Sequence, residues 1–430
     1  MGNNPILSRE QLLKGKIPGK VTGIEIKKTI CAICPQNCGV DAYVKDGIVI
    51  KVEGSVENAN SCGTLCSKGA ANRQYIYHPD RIMTPLLKKG GKGSETFDSI
   101  SWDDALDIVS SRLLKIKKKS GPESVIFFSG IFSPGIFFSG FQNRLGPFLK
   151  RLALGFGTPN YCTESSTGHF ATVIANKLNY GQVGYPDIEK TKCLLVWSTN
   201  PFHSGTSKVR NLLKAIENGL KIIEVNPLTT PLTPHAKLHL RIRPGTAGAL
   251  ALGMAHVIIK EGLSDWEFIS NWTVGFEEYR DYVKEFTPSV TEKITTVPEE
   301  LIIKAARLYA NTKPAAMMTG SSSTVHHTNA VQNHRAITAL IGLTGNFDKE
   351  GGNTVAPSSY YRQPTGLKAR EHEFEQIRSF DEMPPRIGED MHPVWCEAVS
   401  EAQSMQIPFQ IQSGKPYPIK ALVGFGMNYR

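Results

Sequence analysis

The chain has no apolar run approaching the eighteen or so residues that a membrane-spanning helix needs. Its opening, MGNNPILSREQLLKGKIPGK, contains neither an apolar core nor a twin arginine, so nothing marks it for export and the expectation is a cytoplasmic protein. Cysteine is too sparse for a disulfide scaffold: eight in 430 residues, without a secretory signal, is not the density of a small secreted domain held by bridges. An acidic excess is also lacking. Lys and Arg outnumber Asp and Glu by 49 to 39, a formal charge of +10, but neither a helix-turn-helix pattern nor an aromatic-and-basic platform accompanies it, and no nucleic-acid partner is expected. The local basic run, Lys115, Lys117, Lys118 and Lys119, closes a predicted helix, where lysines complement the macrodipole. Positive charge can instead hold an anionic cofactor. Hydrophobic content of 40% is that of an ordinary globular protein, and the length suffices for roughly two to four domains.

The cysteines that are present are placed for chemistry. Cys31, Cys34, Cys38 and Cys66 are separated by two, three and twenty-seven residues. A C-x2-C-x3-C run lets one tight loop aim three thiolates at a common point, and a distant fourth closes the cage. Such a set suits a cubane iron–sulfur cluster or a single zinc; zinc ribbons more often pair two close C-x2-C knuckles. Cys62 is a rival fourth ligand. Cys66 is preferred because Lys68 and Gly69 follow it, setting a cation and a permissive backbone beside the cluster. Between the cysteines, Val40, Ala42 and Val44 alternate, Asp46-Gly47 predicts a type I′ turn, and Ile48, Ile50 and Val52 alternate back: a β-hairpin.

Ser101 and Asp104 form an S-x-x-D box before a helix whose predicted apolar face is Trp102, Ala105, Leu106, Val109, Leu113 and Ile116. A buried strand over 123–130, a cavity-lining loop over 130–141 and a helix over 144–154 follow. The central third alternates strands (193–198, 220–225, 238–242) with helices (204–218, 248–260), the pattern of a parallel sheet with crossovers. Ligands bind beyond the carboxyl ends of such strands, which here carry Thr199-Asn200-Pro201, Asn226-Pro227 and Arg243-Pro244-Gly245-Thr246; each is also a plain turn sequence. A nucleotide-like ligand is expected there.

Cys162 in GTPNYCTESS stands before a predicted helix start capped by Thr163 or Ser165. A helix N-terminus favours the thiolate, the form that ligates metal; a lone cysteine is otherwise a small buried hydrophobe, the reading for Cys193 and Cys396. Arg335 to Leu343 reads as a helix stopped at Gly345-Asn346, with Gly351-Gly352 permitting close approach to a ligand. Glu164, His169, His326 and His327 are secondary candidates for proton transfer, although capping or packing is the commoner role.

The segments CAICPQNCGVDAYVKDGIVIKVEG, GTLCSKGA and HPDRIMTPL resemble, in that order, the N-terminal domain of the dimethyl sulfoxide reductase family of molybdopterin-dependent oxidoreductases. HLRIRPGTAGALALGMAHVIIKEG and RAITALIGLTGNFDKEGGN are similar to its later segments, so the resemblance covers nearly the whole chain. It implies an α/β fold: a [4Fe–4S] domain over 24–85, a discontinuous α/β domain over 86–180 and 321–430, and a Rossmann-like dinucleotide-binding domain over 181–320. It implies a bis-molybdopterin guanine dinucleotide carrying molybdenum or tungsten, with Cys162 as the metal's protein ligand and Lys68 on the electron path between cluster and pterin. Asn200, Pro201, Asn226, Pro227, Arg243, Gly245, Thr246 and Lys68 become cofactor contacts. Asn226, Lys237 and Ala247 depart from the family, replacing acidic residues that accept from ribose or guanine.

YCTESST looks most like acetylene hydratase, transhydroxylase and catechol dehydroxylase relatives, but Pro35 stands where acetylene hydration expects an aspartate after Cys34, which disfavours hydration. The expected reaction is a two-electron reduction or oxidation of a small substrate, with an iron–sulfur electron-transfer subunit as partner. In the family the strand at 419–425 is followed by further core sequence and a barrel-like domain; here the expectation is that a second chain supplies them or that the gene is interrupted. The other reading is a non-catalytic iron–sulfur electron-transfer or partner subunit.

Overall fold

Asp46 and Gly47 both take positive φ, 51° and 76°, the primed turn that an Asp-Gly pair predicts because it matches strand twist. It joins β2 (Gly39–Lys45) to β3 (Ile48–Gly54), and β1 (Glu25–Ile30) pairs with the other edge of β2 in an antiparallel sheet. This computed structural model describes residues 23–427 except 32, 35–37, 60, 92, 131–141, 167, 169, 321–323, 356–381 and 400. The expected loop over 130–141 and His169 therefore lie outside the described residues. No helix among those described is long and apolar enough to cross a membrane.

The described residues form two units, 23–166 with 382–427, and 168–355. In the first unit, short helices Ser67–Ala70 and Asn72–Ile76 follow the sheet, then the hairpin β4 (Leu86–Lys88) and β5 (Phe97–Ser99). The helix Trp102–Ser120 starts where the S-x-x-D box predicts: Ser101 accepts from the Asp104 N–H at 3.0 Å. Its predicted apolar face is only partly used. Leu113 and Ile116 pack on the core around Val125 and Phe127, whereas Trp102 and Leu106 stay 68% and 61% exposed. Lys117 donates to the Phe156 carbonyl at 2.6 Å and lies 5.0 Å above its ring, so one lysine of the basic run anchors the helix end. β6 (Val125–Ser129) is flanked by β7 (Tyr161–Thr163) in a parallel sheet; the helix Gln142–Phe156 connects them.

The second unit holds the small antiparallel pair completed by β8 (Gly184–Pro186), and a parallel sheet built on β9 (Cys193–Trp197). All five residues of β9 are fully buried, as an apolar run at the centre of a parallel sheet should be. β10 (Lys221–Val225) and β11 (Leu238–Leu240) extend from one side of β9, and β12 (Ala315–Thr319) pairs on the other, giving the order β11-β10-β9-β12. That reversal of direction at β9 is the switch point at which open α/β sheets bind ligands. β13 (Asn353–Val355) pairs with β8.

The helix Ala247–Lys260 is buried on nearly every side, and its glycines set how closely neighbours approach. A Cβ on Gly253 would lie 2.7 and 2.9 Å from Cγ2 and Cβ of the buried, stiff Thr291. Gly253→Ala is therefore expected to lose about 1 kcal/mol net, overpacking of about 1–3 kcal/mol outweighing the propensity gain of about 1 kcal/mol. A urea midpoint at or above that of the unaltered chain would show that Thr291 gives way. The helix Ala330–Leu343 ends as predicted, with Gly345 at φ 64°. Gly351 and Gly352 are not ligand-facing: a Cβ on Gly351 would meet the Pro314 ring and lie 2.9 Å from the Lys190 carbonyl, and one on Gly352 would collide with the Asn346 carbonyl. The chain's own backbone occupies the space that the sequence reading assigned to a ligand.

The chain then returns to the first unit through helices Pro393–Val399 and Ile407–Ser413, and β14 (Ala421–Phe425) pairs in parallel with β6. The resulting sheet order is β14-β6-β7. Ala421 and Val423 face the core, while Leu422 and Phe425 are 38% and 47% exposed.

Candidate functional site

Cys31 directly follows β1 and Cys38 directly precedes β2, and the Cys31 N–H donates to the Cys38 carbonyl at 2.8 Å. Both are buried, with Val40, Val52 and Leu65 around them. Cys34 is half-buried in the intervening loop, and Cys66 is half-buried immediately before the helix Ser67–Ala70. All four are free thiols. Among the described residues no group of three or more His, Cys, Asp or Glu side chains is close enough to hold a single metal ion. Gly69 leaves room for the cysteine: a Cβ there would lie 3.7 Å from Cys31 Sγ and 3.2 Å from Leu65 Cδ2. Lys68 is exposed beside this buried glycine. Cys62 is half-buried with φ 44°, and its thiol donates to the Ala59 carbonyl at 3.2 Å.

Sequence reasoning missed Asn72. Its amide Nδ2 donates to Cys31 Sγ at 3.4 Å and to the Gly69 carbonyl at 2.8 Å. Hydrogen bonds to thiolate sulfur are among the levers that set a cluster's potential. The reduced cluster carries the added negative charge and gains more from a donor. Asn72→Ala is therefore expected to lower the midpoint potential by roughly 40 mV, the equivalent of a hydrogen bond of about 1 kcal/mol for one electron. A redox titration followed by electron paramagnetic resonance reads it, and an unchanged potential would remove Asn72 from the cluster's surroundings.

Cys162 does not precede a helix. Thr163 instead joins the sheet opposite Ser129, its hydroxyl donates to Glu401 at 2.7 Å and accepts from the Ser165 N–H at 3.1 Å, and the chain turns through the 3-10 segment Glu164–Ser166. The next helix spans Phe170–Tyr180. The expected help from a helix terminus is thus absent. Cys162 is wholly buried beside Ile126, Ile387, Ala402 and Ile407; burial first, then the Glu401 carboxylate and Cys396, push its thiol well above the ordinary value. Ser166, on the turn after the strand, is half-buried and its hydroxyl accepts from the Ser404 N–H at 3.1 Å. Cys193 and Cys396 are buried core residues.

The three predicted loops all leave the carboxyl ends of the parallel strands, and each has a local structural task. Asn200 accepts from the Phe202 N–H at 3.2 Å and caps the helix Pro201–Ser204, whose first residue is the buried Pro201. Asn226 accepts from the Leu228 N–H at 3.0 Å, and the Thr246 hydroxyl donates to the Arg243 carbonyl at 2.7 Å beside Gly245 at φ 85°. Pro227 and Arg243 meet in one cavity of about 430 Å³, with His239, Arg241, Thr296 and Pro298 among its walls. Asn200, Pro201, Asn226, Gly245 and Thr246 do not line it. Glu224, another residue missed from sequence, is fully buried in β10 and accepts from the hydroxyls of Thr230 at 2.7 Å and Thr233 at 2.6 Å, fixing the turn that follows Asn226-Pro227.

Glu164 lies in the 3-10 turn, and of the paired histidines His326 is exposed while His327 contacts the Asn333 amide, a packing role. The buried histidine is His334. Its Nδ1 lies 3.2 Å from the Thr324 hydroxyl, and burial lowers its pKa to about 4, so it is neutral near pH 7.

The chain matches the molybdopterin oxidoreductase family over residues 81–407 and the molybdopterin oxidoreductase Fe4S4 domain over residues 24–78. It is 32% identical to the F420-dependent formate dehydrogenase 1 subunit alpha of Methanococcus maripaludis, over 75% of this chain and 46% of that protein. It is also 32% identical to acetylene hydratase of Syntrophotalea acetylenica, over 77% of this chain and 45% of that protein. The solved structure of acetylene hydratase from Pelobacter acetylenicus superimposes with a TM-score of 0.76 at 27% identity, covering 94% of this chain and 57% of that one. The chain thus spans about half the length of the curated relatives it matches.

The donor sets fit the cofactors that the family implies. Four thiol sulfurs, one already accepting an amide N–H within an apolar shell, suit an iron–sulfur cluster, and paired arginines in a cavity at the strand ends suit a phosphate-bearing pterin.

Proposed function

The chain belongs to the molybdopterin oxidoreductase family, and we propose that it takes part in a two-electron oxidation or reduction of a small substrate, with electrons passing singly through a [4Fe–4S] cluster on Cys31, Cys34, Cys38 and Cys66. The observation that carries this reading is the environment of Cys31: its sulfur lies 3.7 Å from where a Cβ on Gly69 would stand and accepts from Asn72, and both of those residues belong to the short segment that also holds Cys66 and Lys68. When bound, the molybdenum or tungsten bis-pterin guanine dinucleotide supplies the two-electron chemistry.

The chain's residues supply placement. Lys68 brings a positive charge next to the cluster loop, where it favours electron arrival, and the loops at Asn200-Pro201, Asn226-Pro227 and Arg243 to Thr246 hold the nucleotide portions. Cys162, the middle residue of β7, is the proposed metal ligand; because its thiol is enclosed by apolar side chains, ligation requires that it turn out of the core. That enclosure favours a second reading, in which the more accessible Ser166 hydroxyl of the same turn is the donor. An iron–sulfur electron-transfer subunit is the proposed partner, by analogy with a relative named as an alpha subunit. Metal analysis of the anaerobically purified protein tests the function: iron together with molybdenum or tungsten supports an oxidoreductase, and iron alone supports an electron-transfer subunit.

A further inference from the structure

We propose that Glu401 is a positioning residue for the metal of the pterin: acting through Thr163, it fixes the short segment 161–166 that carries both candidate donors, Cys162 and Ser166. The inference deepens the proposed function and rests on it, but it holds whichever of the two donors is used. β7 is the last strand of its sheet, so β6 bonds only one of its edges. A segment remote in the chain bonds the other. The Ala402 N–H donates to the Tyr161 carbonyl at 2.9 Å, and the Ser404 N–H donates to the Ser166 hydroxyl at 3.1 Å.

Glu401 completes this contact from inside the core. Thr163 is wholly buried, and its single hydroxyl proton goes to the Glu401 carboxylate at 2.7 Å. The Thr163 oxygen is then left to accept, from the Ser165 N–H at 3.1 Å, with the Ser165 hydroxyl 2.8 Å away. The carboxylate thus sets the direction of the hydrogen bonds that fold the chain back after β7. Its own base is firm: the Gln403 N–H donates to the Ile387 carbonyl at 2.9 Å, and the Ile387 N–H to the Asn160 side chain at 3.0 Å, immediately before β7. Glu401 is 5% exposed. Packing alone does not call for a carboxylate at such a place, because it is costlier to bury than an amide or an apolar group. A hydrogen bond one step removed from a metal donor orients that donor.

The test uses the full chain loaded with pterin and metal, read by electron paramagnetic resonance of Mo(V) or W(V), whose g values report how the donors are arranged. Glu401→Ala and Thr163→Val should each displace the g values and speed the loss of molybdenum or tungsten on dialysis about tenfold, the usual scale for an outer hydrogen bond to a metal site. Glu401→Gln keeps an acceptor oxygen for the Thr163 hydroxyl, so it should show the unaltered signal and lose metal at most about threefold faster. The double variant Glu401→Ala/Thr163→Val should match the single ones, because the two side chains form one contact. A cooperative urea transition shows that each variant is folded, and Thr163→Val decides alone if Glu401→Ala is not. Unchanged g values and metal retention in Glu401→Ala and Thr163→Val would overturn the inference and leave Glu401 a packing residue. Glu401→Gln as disturbed as Glu401→Ala would overturn it too, since charge and not placement would then be at work. Metal content of the unaltered protein judges the underlying reading separately: metal present but indifferent to these substitutions overturns this inference alone, and metal absent overturns both.

Discussion

Cys66→Ser is expected to abolish the iron–sulfur cluster and Cys62→Ala to leave it in place, with about four irons per chain in the unaltered protein when purified without oxygen. The proposed four-thiolate set lies within residues 31–66, so its assembly would depend on a short stretch of sheet and loop. A serine hydroxyl is a harder, less acidic donor than a thiol, and one corner of the cage is lost. Cys62, by contrast, donates to the Ala59 carbonyl and its side chain serves the loop. Iron and acid-labile sulfide, with the spectrum of the reduced cluster, decide the matter. Iron lost in Cys62→Ala and retained in Cys66→Ser would reverse the assignment and move Lys68 away from the ligand it is proposed to adjoin.

The second large effect concerns the metal of the pterin. In an active preparation, Cys162→Ala is expected to lower molybdenum or tungsten content or to abolish turnover, since a soft thiolate is removed, while Ser166→Ala leaves both nearly unchanged. The reverse outcome, with Cys162→Ala active and Ser166→Ala inactive, would make Cys162 a core residue and the serine the donor, in keeping with the enclosure of the thiol by Ile126, Ile387, Ala402 and Ile407. Lys68→Met separates chemistry from electron transfer: both metal contents should persist while exchange between the centres slows. Iron content unchanged in the Cys162 and Ser166 variants would show that the two sites are assembled independently.

Much of the architecture was legible because it rests on short-range rules. The turn at Asp46-Gly47, the cap at Ser101 and the helix stop at Gly345 each depend on a few adjacent residues, whose backbone preferences act locally. The alternation of buried strands with helices likewise foretold the parallel strands β9 to β11; β12 was not among them.

What the sequence by itself determined, then, is the hairpin and the order of strands and helices. The tertiary structure alone decided which side of each element is enclosed, because burial sums contacts from residues far apart in the chain. Cys162 is enclosed by Ile387, Ala402 and Ile407, and that burial first, then the Glu401 carboxylate, raises its thiol pKa; none of these residues is announced by its neighbours in the chain. Gly351 and Gly352 meet Pro314 and Asn346 where a ligand was expected, and Trp102 and Leu106 stay exposed on a helix face with a core-like pattern. The cavity at β11 brings Arg241 and Arg243 of one loop together with Pro227 and Thr296 of two others. Periodicity states that a face is apolar or charged; only packing supplies what it faces.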